Sequence, residues 1–336
     1  MVRLGRGSFL GFGIIDDYTD VTPVLGDIEW WHRVAPGFDD LTQDVTHLEF
    51  PNLNTYDMAH ELIKGGQIRG EGAVNIAATY DTMHEFLRLI TGHNQAPTGA
   101  GPYTYPFSPV DPNDTNHYLL GSTKRQLIVE AYKGEATNSI FYYGMLPNEF
   151  GLTFEPDGYV QMALGLIGRG GVRGAFSTPT YASDEIVTPT GQSAAFFQIG
   201  ATPYVCLSAS LQINNGMDYR FDVSARRTLQ PYPQNKREVT LTVEIETDTD
   251  AWMDNAVDPE GSPLNTVQLK IDNGAAAGAN RQLVFIFPKC VVMSPAEARP
   301  SGIGPVTTQL QLKALSTGGG PAYTCQVING QSAYIH

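Results

Sequence analysis

The residues able to do chemistry are sparse and badly spaced for it. Seven histidines, His32, His47, His60, His84, His93, His117 and His336, are spread along 336 residues. A zinc hydrolase of the HExxH kind needs two imidazoles one helical turn apart. His60-Glu61 and His84-Glu85 begin such a motif, but neither has a second histidine four residues on. His84 is expected on the surface of a helix. Gly5, Gly7, Gly11 and Gly13 miss the GxGxxG spacing, as does Gly-Arg-Gly-Gly-Val-Arg-Gly at 168–174. A Walker A loop and a GxSxG elbow are absent from the sequence. Asp248, Asp250, Asp254, Asp258 and Glu260 cluster as calcium ligands would. An EF-hand loop needs glycine at its sixth position and glutamate at its twelfth, and neither fits there or at Asp111 to Asn116. Turn and cap residues on a solvated acidic face account for the cluster. Paired carboxylates for glycoside hydrolysis stay open, because their spacing exists only in three dimensions.

Three cysteines, Cys206, Cys290 and Cys325, lack a CxxC spacing and are expected as buried free thiols. Trp30-Trp31 beside His32 is the densest aromatic cluster. Such rings stack on sugars in a carbohydrate-binding module. In an N-terminal arm they also serve as core or intersubunit anchors, and Trp30, Trp31, Phe9 and Phe12 are taken as candidate anchors.

Elements able to position a site are mostly strands. Val239-Thr-Leu-Thr-Val-Glu-Ile-Glu-Thr247 alternates strictly, with Val239, Leu241, Val243 and Ile245 on one face and Thr240, Thr242, Glu244 and Glu246 on the other. Val205 to Ile213 and Leu310 to Ala314 alternate too. Further strand candidates are Leu127 to Tyr132, Ile140 to Leu146, Tyr159 to Ile167 and Leu283 to Phe287. Met83, Phe86, Leu87 and Ile90 follow a helical period, with Thr82 and Glu85 as a capping box and Gly92 as the stop. A shorter helix is expected from Asp57 to Ile63. With 35 glycines and 22 prolines, the chain reads as many short strands between turns.

A net charge of −14 repels phosphates and excludes a conventional nucleic-acid binder, while leaving open a protein past which DNA slides. Hydrophobic residues at 42% are enough for a folded core. No run approaches the ~18 apolar residues of a membrane span, so no membrane partner is expected. The N-terminus, interrupted by glycines and Asp16-Asp17, is a poor signal peptide, and cytoplasmic synthesis is expected.

The order of elements repeats. Val74-Asn-Ile76, Asp81, the Met83 helix, Leu127 to Ala131, the Lys133-Gly134 turn and a strand before Pro147 match a second series. That series is Val243-Glu-Ile245, Asp250, the Trp252 segment, Val267 to Ile271, the Asn273-Gly274 turn and a strand before Pro288. The offset falls from 169 to 140, and the difference of 29 residues lies in a loop at about 93–121. The expected layout is an N-terminal arm (1–40), a first domain (41–168), a linker (169–200) and a second domain (201–336).

Gly7-Ser-Phe-Leu-Gly-Phe-Gly13 with Val21-Thr-Pro23, Gly70-Glu-Gly-Ala-Val-Asn-Ile76, the segment Asp81 to Gly92, Ser208 to Asn215 and Phe287-Pro288 together resemble the tail tube proteins of long-tailed, siphovirus-like phages. The resemblance implies a mainly β fold of two tandem tail-tube-type β-sandwich domains with short flanking helices. Their sheets would join an intersubunit β-barrel around a channel. It implies a non-enzymatic virion protein without cofactor or metal, assembled in the host cytoplasm and located in the tail. Its partners would be further copies of itself, the tape measure protein, the tail terminator and baseplate proteins, with DNA passing unbound. A duplicated chain would make a trimeric ring with pseudo-sixfold symmetry. Glu244 and Glu246 are then candidate lumen residues, with an outer, solvent-facing position equally open. A carbohydrate-binding module, a β-sandwich hydrolase and another virion structural protein are the alternatives.

Overall fold

Alternating apolar and polar residues favour extended chain with one buried face, and strands dominate the computed structural model. It describes residues 8–18, 25–34, 39–50, 62–132, 138–156, 158–175, 177–181, 185–188, 196–221, 229–246, 263–275, 279–293, 299–300, 306–316 and 318–335. The first half contributes β1 (Phe9–Ile15), β2 (Trp30–Arg33), β3 (Thr42–Phe50), β4 (Leu62–Ala77), α1 (Tyr80–Thr91), β5 (Tyr103–Phe107), β6 (Gln126–Tyr132), β7 (Asn138–Phe154), β8 (Gln161–Gly168) and β9 (Gly170–Ala175). The second contributes β10 (Phe197–Ile199), β11 (Thr202–Tyr204), β12 (Cys206–Asn214), β13 (Met217–Arg220), β14 (Leu229–Pro233), β15 (Glu238–Glu246), β16 (Leu264–Asp272), β17 (Gln282–Val292), β18 (Arg299–Pro300), β19 (Val306–Ala314) and β20 (Thr324–Asn329). The fold is mainly β and sandwich-like, and among the described residues every strand pairing is antiparallel.

Two long strands build the layers by changing sheet part-way. The first part of β7 lies in the sheet β2–β1–β6–β7–β9. At Gly144 its backbone turns left-handed (φ 64°), a conformation that suits glycine. The rest of β7 then enters a larger sheet between β8 and β12. In the second half, β17 pairs with β16 through Gln282–Cys290, with β20 through Gln282–Ile286 and with β19 through Cys290–Val292. Pro288 lies at that change.

The pairings of the first half recur in the second. β1·β2, β1·β6, β3·β4, β4·β8, β6·β7, β7·β8 and β7·β9 correspond in order to β10·β11, β10·β16, β12·β15, β15·β19, β16·β17, β17·β19 and β17·β20. Cross-strand aromatic pairs recur with them. Phe12 stacks on Trp30 with ring centroids 5.8 Å apart, and Phe197 meets Tyr204 at 6.4 Å.

Three segments carry more structure than expected. The 1–40 segment is more than an arm, because β1 and β2 are built into a sheet and Phe9, Leu10, Phe12 and Trp30 are buried. The 169–200 segment is more than a linker, because β9 pairs with β7 and β10 with β16. The 93–121 insertion carries β5, which extends the second half's sheet by pairing with β20. Between the halves, β7·β12 joins their sheets, and one core cluster runs from Leu10 to Val327.

Helix α1 begins at Tyr80 with Thr79 as N-cap, not at Thr82, and ends at the left-handed Gly92 as expected. Glu85 does not close a capping box, since its carboxylate accepts the Ile335 backbone N–H at 2.5 Å. All twelve helix residues are buried, His84 included, because chain from the insertion and from 329–335 covers the outer side. Leu62 and Ile63, expected in a helix, open β4; residues 57–61 of that expected helix, and the Trp252 segment, lie outside the described residues.

Candidate functional site

The larger sheet runs β3–β4–β8–β7–β12–β15–β19 and ends on the edge made by β17 and β18, eight strand positions in all. Its inward face is apolar, with Val74, Leu164, Leu152, Leu211, Leu241 and Leu312 each at most 2% exposed. Its outward face is polar across both halves. One cross-strand row reads Asn75, Ala163, Gly151, Gln212, Thr240, Lys313. The next reads Ala77, Gln161, Thr153, Ser210, Thr242, Gln311, and no residue in either row is buried. Period-two alternation in each strand and one shared register bring these residues to one surface.

Glu244 and Glu246 stand on this polar face, half-exposed, as the β15 alternation requires. Glu244 lies between Ser208 and Gln309 of the neighbouring strands. From β3 to β19, among the described residues, carboxylates of the face (Asp44, Glu71, Glu149, Glu238, Glu244 and Glu246) outnumber its cations (Arg69 and Lys313). Arg69 pairs with Asp44 at 3.0 Å and Lys313 with Glu238 at 2.6 Å. Glu149 and Glu244 accept instead from neutral donors, Asn214 Nδ2 at 3.0 Å and Ser208 Oγ at 3.4 Å. The face is acidic and almost free of large apolar side chains from β4 to β15, where Ile167 is the exception; Val291, Met293 and Leu315 add apolar surface at the β17–β19 end.

Beyond the Gly70–Gly168 pair, β4 leaves β8 and continues back to Leu62 paired, among the described residues, with β3 alone. This two-stranded ribbon projects past the sheet by about 26 Å at roughly 3.3 Å per residue. The equivalent connection of the second half carries the β13–β14 hairpin, which folds back onto its own chain. There Tyr219 Oη donates to the Gly70 carbonyl at 2.7 Å, and the Met217 N–H donates to Asn148 Oδ1 at 2.7 Å.

The candidate anchors divide. Phe12 and Trp30 lie in the main core against Phe86, and Phe9 is buried against Tyr132. Their surface is used within the chain, so none of the three offers a ring to a neighbour or a sugar. Trp31 points the other way and, half-buried, joins a small cluster with Ile28, Ile128, Phe141 and Tyr143 on the outer side of the smaller sheet.

Titratable groups in the interior are packing groups. Burial among Phe12 and Phe86 holds His32 down at about 4. His117 is held at about 4, chiefly by burial, and its Nδ1 accepts the N–H groups of Leu119 and Leu120. Burial pushes the thiols of Cys206 and Cys290 up to about 12, which leaves them protonated and unreactive, and Cys325 is raised further. Around α1, Asn329 Nδ2 donates to the Tyr80 carbonyl at 3.0 Å, and Arg281 pairs with Asp81 at 2.7 Å. Arg88 sits between the rings of Tyr118 and Tyr334, 3.6 and 3.9 Å from their centroids. These contacts lock the first half's helix to the second half. Among the described residues no group of three His, Cys, Asp or Glu could hold a metal ion. The acidic cluster at 248–260 lies outside them.

The family model described as phage tail tube protein matches residues 61–314. The chain belongs to the phage tail tube protein family. Among curated proteins none matches it. The match spans β4 to β19, and so takes in nearly all of the larger sheet with its polar face. This tail tube protein is therefore a structural component of a virion tail. No helix among the described residues is long and apolar enough to cross a membrane.

Alternation in β12, β15 and β19 made part of the polar face legible from the residues. The contribution of β4, β7 and β8 was missed as a face, because Gly151, Ala163 and Gly165 carry no polar signal of their own. The only cue to them was the absence of any large side chain at alternate positions.

Proposed function

We propose that the chain is the ring-forming subunit of the tail tube, with the larger sheet as the wall and its acidic face as the lumen. The observation that carries this is the eight-position sheet that is apolar inside and polar outside across both halves. A sheet with one dry and one wet face suits a barrel wall, and closure across subunits removes the edges at β3 and β18. Glu244 and Glu246 would line the channel and keep DNA phosphates off the wall. The subunit would be non-enzymatic, with DNA passing unbound toward the host.

The recurrent pairings support a tandem duplication, in which each half fills one of six quasi-equivalent positions and three chains make a ring. Width favours three. Three times eight strands, about 4.8 Å apart and tilted by roughly 40°, make a barrel about 48 Å across, or about 38 Å between side chains. Two chains would leave about 22 Å, too narrow for free passage of a duplex. The projecting β3–β4 ribbon, marginal as an isolated hairpin, is the natural contact between stacked rings. The tape measure protein would occupy the lumen before ejection, with the terminator and baseplate at the two ends.

Negative-stain microscopy of the purified protein tests this, with stacked rings and an open pore expected. A strictly monomeric protein at high concentration would refute it. Native mass spectrometry of rings is expected to give three chains; six would refute the duplicated-ring arrangement alone.

A further inference from the structure

The seam between the two halves is a worked example of how one half meets the next. There β7 and β12 run antiparallel, with Glu149 opposite Asn214 and Thr153 opposite Ser210. The outer edges of the same sheet are the counterparts of those two strands. β3 holds the place of β12, since β3 pairs with β4 as β12 pairs with β15. The β17–β18 edge holds the place of β7, since it pairs with β19 as β7 pairs with β8. Among the described residues β3 and β18 each have a strand on one side only.

The registers give the positions. Asp44 lies opposite Arg69 on β4 as Asn214 lies opposite Glu238 on β15. Ile76 of β4 and Ile245 of β15 hold the same place, pairing with Met162 and Thr308. On the other edge, Glu149 pairs with Gly165 of β8, and the Met293 N–H donates to the Gln311 carbonyl of β19 at 2.8 Å. Thr153 pairs with Gln161, and Arg299 with Thr307.

We infer that the contact between neighbouring chains repeats the internal seam: β3 of one copy adds antiparallel to the β17–β18 edge of the next, with Asp44 across from Met293 and Asp40 across from Arg299. The occupant of each edge is thus a second copy of this chain. The inference rests on the ring proposed above and specifies its joint. A further observation favours it. Met293 is 54% and Leu315 36% exposed at the β17–β19 end, apolar surface that a neighbouring strand would cover. The contact joins two different edges, so it is heterologous and forms a ring only if the rotation closes.

Disulfide trapping in the full chain tests the register, because directly opposed residues of antiparallel strands lie within reach of a disulfide. The double variant Asp44→Cys with Met293→Cys, assembled and mildly oxidised, is expected to shift from monomer to dimer and trimer bands on a non-reducing gel. Each single variant should stay monomeric on the gel. Asp40→Cys with Arg299→Cys is a second, independent pair should the first fail to fold. Tubes visible by microscopy with neither pair trapped would overturn the seam and leave the tube standing. Trapping only in a shifted pair, such as Asp40→Cys with Met293→Cys, would overturn the register. Failure of the unmodified protein to form rings would overturn both.

Discussion

Phe12 is fully buried among Trp30, His32 and Phe86, so it belongs to the stability of one chain rather than to its neighbours. Phe12→Ala is expected to cost about 3–5 kcal/mol in a denaturant melt, as large core truncations do. Trp31→Ala, on the outer cluster, should cost clearly less. His32 and His117 make a pH prediction. Their folded values near 4 lie below the ordinary 6.5, so the unfolded chain binds more protons between those limits. Stability is therefore full above pH about 6.5 and falls toward pH about 4, by up to roughly 3 kcal/mol per histidine. Replacing His32 by a similar-sized apolar residue such as Leu should flatten that part of the pH–stability curve. A variant that keeps the full slope would refute this assignment. The aromatic cluster was legible from the residues; which rings faced inward was not, because that depends on how β2 registers on β1.

At the scale of elements, β15 shows how much alternation alone decides. Val239, Leu241, Val243 and Ile245 are buried, and Thr240, Thr242, Glu244 and Glu246 are half-exposed, as the pattern requires. Leu241→Ala is expected to lower stability by about 2–5 kcal/mol. Thr240→Ala, one residue away on the wet face, should stay within about 0.5 kcal/mol. Equal effects at the two positions in thermal or chemical melts would contradict the two-faced strand. Helix α1 taught the opposite lesson. Its period and its Gly92 stop were visible, yet His84, expected on the surface, is buried, and Glu85 and Arg88 are buried with it. Polar residues at those positions carry no sign of the distant segments that cover them, since Asn329, Tyr334 and Tyr118 arrive from elsewhere in the chain.

For the whole molecule, the acidity of the polar face is the property that a tube would use. Glu244→Lys with Glu246→Lys should leave ring assembly intact, because neither side chain packs inward. The altered tubes are expected to retain DNA at low salt and release it at high salt, each new phosphate contact adding about 0.9 to the slope of log K against log salt. Filter retention of labelled duplex at several salt concentrations measures this. Tubes that stay inert to DNA would place these residues away from the lumen.

The residues alone determined that the chain is β-rich and acidic and has strands with one wet face, because period-two alternation and charge are local properties. They also carried the repeated order of elements and the resemblance to tail tube proteins. Tertiary structure decided what local pattern cannot: that β1, β2 and β9 are sheet strands, that β5 crosses to the second half, and that β7·β12 joins both halves in one sheet. Each of these depends on hydrogen bonds between residues far apart in sequence. A strand's own residues specify its faces, but only the strands beside it specify its place in the sheet.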